Sequence, residues 1–389
     1  MPLSSLLELR KFLAPEIVFG QDAAQLAGRY AQNLGARKVL LVTDPGVAAQ
    51  PWFGPIAEAI GAAGLGLEIF SAIHPNPRDF EVMLGADLYR SSGCDAIVAV
   101  GGGSPMDCAK AIGIVCTNDR HVLEFEGVDN VQRPGPPLLC VPTTAGSSAD
   151  VSQFAIITDT TRRVKIAIVS KAMVPDAALI DPALTATMDA RITADTGVDA
   201  LTHAIEAYVS NAHGPTTDLF ALDAVRRIAR HLPDVIARPN DLEARAGMML
   251  GSAYAGLAFS NAILGAVHAM AHSLGGLMDL PHGQCNAILL DHVIDYNFAA
   301  EPERYADIGR ALGAQIRPES DLEEKRQAVL AQVRAFKKSV GVTATLSGLG
   351  VRREDLERLA LFAMNDPCMV TNPKIPAAGD IRAVFEHAL

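Results

Sequence analysis

The segment Ala96-Ile-Val-Ala-Val-Gly101-Gly-Gly-Ser-Pro-Met-Asp107-Cys-Ala-Lys110 determines how the first half of this chain is organised. Its order predicts a buried strand, a triple glycine and the start of a helix. Ser104 is predicted to be the helix N-cap, with Pro105 at the first helical position and Asp107 at capping-box spacing. Three glycines before a helix let backbone amides approach a pyrophosphate, whose charge the helix dipole favours. The alternative is a tight strand-to-helix turn that binds no ligand.

The segments around this one predict a two-part fold. Apolar, β-branched stretches at residues 38–43, 66–70 and 137–141 predict further strands, with helical segments at 51–63 and 80–91. Continuous apolar strands separated by helices indicate a parallel sheet covered on both faces. From Thr193 onward the segments are long, apolar-periodic and helical. We therefore expect an α/β dinucleotide-binding domain with a parallel sheet at 1–185, followed by an all-α metal-binding domain at 186–389.

Composition narrows the classes of partner and location. With 389 residues, 49% hydrophobic and 20% charged, the chain is typical of a globular protein of two domains. Its net charge of −11 argues against a nucleic-acid or anionic-membrane partner and favours a small molecule. Six scattered cysteines without a C-x-x-C pair predict reduced thiols in a cytoplasmic protein.

Two segments have features that bear on targeting or membrane insertion. Residues 1–11 lack the arrangement of a signal peptide. Residues 246–278 contain no Asp, Glu, Lys or Arg, yet their Gly, Ser, Asn and His content and the absence of basic flanks argue against a membrane span. We expect the second segment to be the interior of the helical domain.

Two further motifs indicate a dinucleotide site of variant form. Asp44 ends the first strong strand, where a carboxylate can bind ribose hydroxyls and repel a 2′-phosphate, which favours NAD over NADP. The alternative is a turn-forming aspartate, and the acid precedes the glycines, the reverse of the usual fingerprint. Thr143, Thr144 and Ser147 lie in a hydroxyl-rich loop directly after a buried strand, where they can donate to a phosphate or ribose or only form local turns.

A predicted helix carries Asp199, His203 and Glu206 on one stripe. Because residues 194–213 contain no Lys or Arg, this stripe is predicted to be partly buried. Asp199 and His203 lie one turn apart, a spacing that can clamp a divalent ion. The alternative for this pair is a buried Asp–His hydrogen bond without metal.

Three histidines, His268, His272 and His282, lie in a segment of Ala, Gly, Leu and Met. An imidazole in such surroundings must be hydrogen-bonded or metal-bound. Their spacing does not decide whether His268 and His272 both bind metal or only one of them does. Together with Asp199 and His203 they form a carboxylate–imidazole set that suits Fe(II) or Zn(II).

Taken together, these motifs resemble the iron-containing (group III) alcohol dehydrogenase family over nearly the whole chain. One departure is that residues 147–150 are Ser-Ser-Ala-Asp, where the family usually has Thr-Gly-Ser-Glu. Residues 365–373 look like the family's segment near the substrate cavity. The motifs that carry the resemblance lie at residues 101–107, 141–146, 196–208, 268–272, 281–283 and 286–290.

The resemblance implies particular roles for the candidate residues. It implies that a catalytic divalent metal is held by Asp199, His203, His268 and His282. It implies that His272 lies beside the nicotinamide, where we expect it to relay the alcohol proton. It also implies that Asp44 contacts the adenosine ribose and that Thr143 and Thr144 lie along the cofactor. The pyrophosphate would be contacted by Gly101, Gly102, Gly103 and Ser104.

The activity implied is reversible, NAD-dependent oxidation of an alcohol to an aldehyde or ketone, with Fe(2+), or Zn(2+), as the metal. We expect a small alcohol or aldehyde substrate and a homo-oligomer, a dimer or larger. The alternatives are a zinc-dependent polyol dehydrogenase of the glycerol type, a maleylacetate-reductase-like enzyme, and a catalytically silent regulator that binds metal and nucleotide.

Overall fold

The computed structural model describes residues 9–389 and contains two compact units. The first is Leu13–Met188; the second is Asp189–Leu389 together with residues 9–12. Most of the N-terminal segment predicted to lack a signal peptide, residues 1–8, lies outside the described residues. The assignment of dinucleotide binding to residues 1–185 and of metal binding to residues 186–389 remains a prediction.

The first unit contains a six-stranded sheet in which every pairing is parallel. Its order is β1-β9-β6-β4-β2-β3. The four strands predicted from the sequence are present as β2, β3, β4 and β6, whereas β1 and β9 were not predicted. The strands of the sheet are β1 Glu16–Phe19, β2 Lys38–Val42, β3 Gly66–Phe70, β4 Ala96–Gly101, β6 Leu138–Pro142 and β9 Ala177–Ile180.

Helices cover both faces of this sheet, which is why its central strands are apolar at every position. In β4, Ile97 and Ala99 pack into one core cluster, and Val98 and Val100 pack into the other. The helices of this unit are α1 Ala27–Asn33, α2 Pro45–Ala48, α3 Phe53–Ala62, α4 Asp79–Ser91 and α5 Gly103–Asn118, with short 3₁₀ segments at Ala23–Leu26, Val122–Phe125, Lys171–Met173 and Pro182–Thr187.

A second, three-stranded sheet was not predicted. It has the order β5-β8-β7, in which β7 and β8 form an antiparallel hairpin and β5 pairs with β8 in parallel. Asp159 stabilises the hairpin turn because its Oδ1 accepts the backbone N–H groups of Thr161 and Arg162, each at 2.9 Å. The strands are β5 Gly127–Val128, β7 Phe154–Asp159 and β8 Val164–Val169.

Lys110 connects α5 to the segment that leads into β7. Its side chain is buried, and its ammonium group donates to the carbonyls of Ser152 and Phe154, both at 2.8 Å, and to the Ser152 hydroxyl at 3.2 Å. Burial lowers the pKa of Lys110, an effect opposed by the carboxylates of Asp107 and Asp150. The ammonium is therefore a structural cation whose donors are all used.

We expect Lys110→Met to lower the free energy of unfolding by about 3 kcal/mol, because two buried carbonyls and the neighbouring carboxylates lose their partner. Denaturant unfolding of the whole protein measures this. Lys171→Met, at an exposed position of the same unit, is the control and is expected to change stability by less than about 0.5 kcal/mol. Equal effects of the two variants would contradict the structural role.

The second unit is helical, and its described residues contain no strand. Within residues 9–389 no single helix is long and apolar enough to cross a membrane; α8 and α9 pass that test only together, and they meet at a 97° bend. The helices are α6 Ala190–Val209, α7 Pro215–Ala237, α8 Leu242–Ala262, α9 Ala266–Met278, α10 His282–Asn297, α11 Pro302–Ala311, α12 Leu322–Ser339, α13 Leu356–Met364 and α14 Ala378–Ala388, with 3₁₀ segments at Phe298–Ala300, Ser347–Leu349, Arg353–Asp355 and Pro367–Thr371.

Candidate metal centre and cofactor site

The predicted cofactor residues meet at the carboxyl edge of the parallel sheet. The chain runs from β2 outward to β3 and then returns to β4 on the other side of β2, so the strand order reverses between β2 and β4. Asp44 follows β2 and the triple glycine follows β4. Open α/β sheets bind ligands at such a reversal point.

The glycine turn packs against the hydroxyl-rich loop after β6. A Cβ atom on Gly102 would lie 3.1 Å from Thr144 Cγ2, and one on Gly103 would lie 3.0 Å from Ser147 Cβ. The backbone of Thr143 is anchored at the same place, because its N–H donates to the Gly101 carbonyl at 2.9 Å. A Cβ at either position would thus be in tight contact with the loop, so glycine suits this close approach. The structure brings the two predicted cofactor motifs together.

The predicted cap of α5 is wrong. Gly102 is the N-cap and the helix begins at Gly103, so Ser104 lies inside the first turn. The flexible glycine backbone lets the chain enter the helix two residues earlier than the side-chain pattern indicates. Asp107 does not close a capping box; its Oδ2 accepts the Ile156 N–H of β7 at 3.1 Å.

The two side chains that follow β2, Thr43 and Asp44, differ in their hydrogen bonding. Asp44 caps α2, since its Oδ1 accepts the Val47 N–H at 2.9 Å. Asp44 therefore has the local capping role that was the alternative to ribose binding. Its contact with a ribose remains a prediction. The buried Thr43 hydroxyl has no hydrogen-bond partner among residues 9–389. A buried hydroxyl of this kind fits a site that a polar ligand completes.

Residues 147–150, which differ from the usual Thr-Gly-Ser-Glu of the family, place the carboxyl group of Asp150 in the interior. Asp150 is buried, and burial raises its pKa to about 6, opposed by its own backbone N–H and by Lys110. This aspartate thus belongs to the buried charge cluster around Lys110.

In the helical unit, four predicted ligands converge on one point. Asp199 and His203 lie on α6, His268 on α9, and His282 at the start of α10. The Asp199 Oδ1 atom lies 4.0 Å, 3.6 Å and 3.9 Å from the Nε2 atoms of His203, His268 and His282, respectively. All four donor atoms lie within 4.8 Å of one another.

These separations fit a shared metal ion better than hydrogen bonds. An N–H···O bond needs about 2.7–3.2 Å between its heavy atoms. Ligands bound at about 2.1 Å to a tetrahedral ion lie about 3.4 Å apart, close to the values observed here. One carboxylate and three imidazoles, three of the four side chains being buried, also form a donor set that Fe(II) or Zn(II) accepts. The residues present therefore fit a divalent metal.

Electrostatics holds the carboxylate of this cluster in its charged form. Burial alone raises the pKa of Asp199, but the imidazoles of His203, His282 and His268 outweigh it and hold the pKa far below the usual range. Burial lowers the pKa of His268, yet the carboxylates of Asp199 and Glu206 raise it to about 9. The electrostatics of the cluster therefore favours a cation at this point.

His272 lies outside the four-residue cluster. Its Nδ1 is 2.8 Å from Asp366 Oδ2, and its ring stacks on that of His282 at 5.2 Å. Burial raises the pKa of Asp366, but the contact with His272 and the Cys368 N–H overcome this and lower it. The structure thus separates His268 from His272, which helical spacing left undecided.

A second group of side chains has residue types that can bind metal: His272, Asp366 and Cys368. These side chains form a hydrogen-bonded cluster. The 2.8 Å separation of His272 and Asp366 is a hydrogen-bond length and too short for two ligands of one tetrahedral ion. Burial also raises the pKa of the Cys368 thiol well above its usual range. We therefore do not regard this group as a second metal site.

Sequence reasoning assigned no role to three residues that contact these histidines or Asp199, although it placed Glu206 on the same helix stripe as Asp199 and His203. Asn286 Nδ2 donates to Asp199 Oδ1 at 2.6 Å and lies 3.0 Å and 3.2 Å from the Nε2 atoms of His268 and His282. Glu206 contacts His268, and Asp366 contacts His272. Glu206 follows His203 by three residues and Asn286 follows His282 by four, so helical spacing was a usable signal for both. Asp366 is 94 residues from His272, and no local pattern could connect them.

Comparison with known proteins agrees with this geometry. Residues 14–182 match the family described as iron-containing alcohol dehydrogenase, and residues 193–389 match the C-terminal part of the Fe-containing alcohol dehydrogenase family. The chain belongs to the iron-containing alcohol dehydrogenase family. The predicted resemblance, the fold class and the enzyme class are thereby confirmed.

Individual members of the family are similar over their whole length. The 1,3-propanediol dehydrogenase of Klebsiella pneumoniae is 41% identical over 97% of this chain and 98% of its own. The NAD-dependent methanol dehydrogenase of Bacillus methanolicus is 37% identical over 97% and 99%. The crystal structure of a 1,3-propanediol oxidoreductase, 39% identical, covers 98% of this chain and 100% of its own with a TM-score of 0.95.

Proposed function

We propose that this protein is an NAD-dependent, divalent-metal-dependent alcohol dehydrogenase that interconverts an alcohol and an aldehyde or ketone. The convergence of Asp199, His203, His268 and His282 carries the proposal, because Asp199 lies too far from each of the three imidazoles for a direct hydrogen bond. Fe(2+) is the proposed ion, with Zn(2+) as the alternative, since the donor set suits both. The family's description supports iron, and the description of the Bacillus relative supports NAD.

When bound, the ion would stabilise negative charge on the alcohol oxygen, and NAD⁺ would accept the hydride from carbon. The chain itself must orient these groups and move the alcohol proton. His272 is the proposed proton carrier: with Nδ1–H donating to Asp366, its Nε2 is the nitrogen that accepts a proton. His272 is thus a catalytic residue and not a ligand.

The proposed NAD site lies at the carboxyl edge of the sheet. The amides of Gly101, Gly102, Gly103 and Ser104 at the start of α5 would bind the pyrophosphate. Thr143, Thr144 and Ser147 supply hydroxyl groups beside that turn. Asp44 would bind the adenosine ribose and repel a 2′-phosphate.

The proposed substrate is a small alcohol or diol, supported by the names of the propanediol and methanol dehydrogenases. We propose a cytoplasmic location, supported by the absence of disulfide bonds among the six cysteines, all of which lie within residues 9–389. We also propose no nucleic-acid or membrane partner, supported by the net charge of −11. That the protein forms a homo-oligomer remains a prediction. The silent-regulator and maleylacetate-reductase alternatives gain no support, because the donor set is complete.

Removal of the metal tests the proposal directly. We expect complete chelation to lower NAD⁺-dependent turnover by on the order of 10³-fold, since the ion supplies several kcal/mol of charge stabilisation. Absorbance of NADH would be followed with methanol, ethanol, 1,3-propanediol and glycerol, before chelation and after Fe²⁺ or Zn²⁺ is restored under anaerobic conditions. Full activity in metal-free protein would contradict the proposal. A preference for NADP⁺ would contradict the role of Asp44, and a preference for glycerol would favour the polyol dehydrogenase.

A further inference from the structure

Glu206 is a buried carboxylate that lies one turn after His203 on α6 and outside the four-residue cluster. Its Oε2 accepts the Gly265 N–H at 3.0 Å and lies 2.6 Å from His268 Nδ1, while its Oε1 accepts the Val267 N–H at 2.7 Å. Two oxygens thus receive three donors, all from the start of α9. A carboxylate of 4% exposure is fully satisfied in this way.

We propose that Glu206 is a positioning residue of the metal centre, which orients the His268 ring and selects its tautomer. A neutral imidazole carries one proton, and the carboxylate holds that proton on Nδ1. The lone pair of Nε2 is then directed at the point where Asp199 Oδ1 lies 3.6 Å away. Carboxylate partners of metal-binding histidines act in this way in general. The inference rests on the proposed function, because it assumes that His268 is a ligand.

Glu206 also holds the backbone from which His268 projects. The connection between α8 and α9 contains Ile263 at φ +62°, a conformation that a β-branched residue adopts only under constraint. Hydrogen bonds supply that constraint: Glu206 receives the amides of Gly265 and Val267, and the Leu264 carbonyl accepts the Thr371 hydroxyl at 2.6 Å. One carboxylate therefore sets both the start of α9 and the direction of the His268 ring.

Glu81 in the other unit provides a matched control. It is 1% exposed, and it receives the backbone N–H groups of His74 and Arg78 at 3.3 Å and 2.9 Å. Its Oε1 lies 2.5 Å from His74 Nδ1. The donor types equal those at Glu206, but His74 is exposed and does not belong to the metal cluster. Glu81→Gln thus reproduces the chemical change without touching the proposed ligands.

The experiment compares Glu206→Gln, Glu81→Gln and the unchanged protein. Each is freed of metal, and Zn²⁺ affinity is measured by competition with a chromophoric chelator. Glu206→Gln places an amide where a charged acceptor was, so we expect Zn²⁺ affinity to fall about 10- to 100-fold, which is about 1.4 to 2.8 kcal/mol. The rise in melting temperature on adding Zn²⁺ should shrink accordingly. Glu81→Gln should lower the melting temperature of the metal-free protein and keep Zn²⁺ affinity.

The outcomes separate the inference from the proposed function. If the unchanged protein does not bind Zn²⁺ or Fe²⁺, the proposed function fails. If it binds Zn²⁺ and Glu206→Gln binds it equally well, Glu206 is merely structural and the inference is overturned, even when the variant melts earlier. If Glu206→Gln does not fold, Glu206→Asp, which keeps the charge but draws it back from His268, is measured in its place. Its Zn²⁺ affinity should fall at least about fivefold, and unchanged affinity would overturn the inference.

Discussion

His268→Ala is expected to yield protein without bound divalent metal and with turnover lowered by on the order of 10³-fold or more. The variant removes one of four donors that lie within 4.8 Å of one another. It also leaves the Glu206 carboxylate without its imidazole partner, which places an under-compensated charge in the interior. Elemental analysis of anaerobically purified protein, together with an NAD⁺-linked assay, measures both effects.

His231→Ala is the matched control for this variant. His231 lies on α7 of the same unit and does not belong to the metal cluster. This variant should keep metal content and turnover within about twofold, because His231 is not one of the proposed donors. Circular dichroism of the metal-free proteins identifies any loss of fold in His268→Ala. Full metal content in a folded His268→Ala protein would remove His268 from the ligand set.

His272→Ala is expected to separate catalysis from metal binding. The variant should keep one equivalent of metal and lower kcat by about 10²- to 10³-fold, the size of a lost general acid–base step. The reason is its position: His272 Nδ1 binds Asp366 at 2.8 Å, and its donor atoms are not part of the four-residue cluster. Metal analysis and steady-state kinetics of the same preparation provide the measurement.

Two results would contradict this division of roles. Loss of metal from His272→Ala would make His272 a ligand, and an unchanged kcat would mean that another group carries the proton. Added imidazole provides a positive test, since a small base that enters the space left by the side chain should restore part of the turnover in His272→Ala. It should not restore His268→Ala, whose defect is the missing metal.

The contrast between His268 and His272 depends on partners that are distant in sequence. Both histidines lie on α9, one turn apart, and each has a carboxylate at Nδ1. Glu206, from α6, directs His268 toward Asp199. Asp366, after α13, holds His272 outside the cluster. Both imidazoles have small or apolar sequence neighbours, so helical spacing does not distinguish them. The family resemblance implies different roles for them, and their different contacts support that division.

The hydrophobic pattern of short segments predicted most of the parallel sheet and the helical second half of the chain. Apolar runs without polar alternation predicted β2, β3, β4 and β6, because a strand buried on both faces needs apolar side chains at every position. The edge strand β1, with the sequence Glu-Ile-Val-Phe, is short and half-exposed and lacks such a pattern. The hairpin of β7 and β8 was also missed, because antiparallel pairing depends on the partner strand.

The candidate residues likewise followed from residue type and spacing. Histidines among apolar residues, and a stripe of Asp199 and His203 without Lys or Arg, indicated buried polar groups that require partners. The chain order of the motifs supplied the family. Helix periodicity could not predict that α5 begins at Gly103, since glycine leaves several backbone paths open.

Tertiary structure alone decided which groups meet. The spacing of one turn is the same for Asp199 and His203 as for His268 and His272, yet the first pair shares a cluster and the second does not. Residue type and helical period establish that a side chain is buried and polar, because these are properties of short segments. Some of these atoms lie 3.6 to 4.0 Å apart and others lie 2.6 to 2.8 Å apart. Which distance a pair has depends on how α6, α9, α10 and the segment after α13 pack, and that packing includes contacts between residues as many as 161 positions apart.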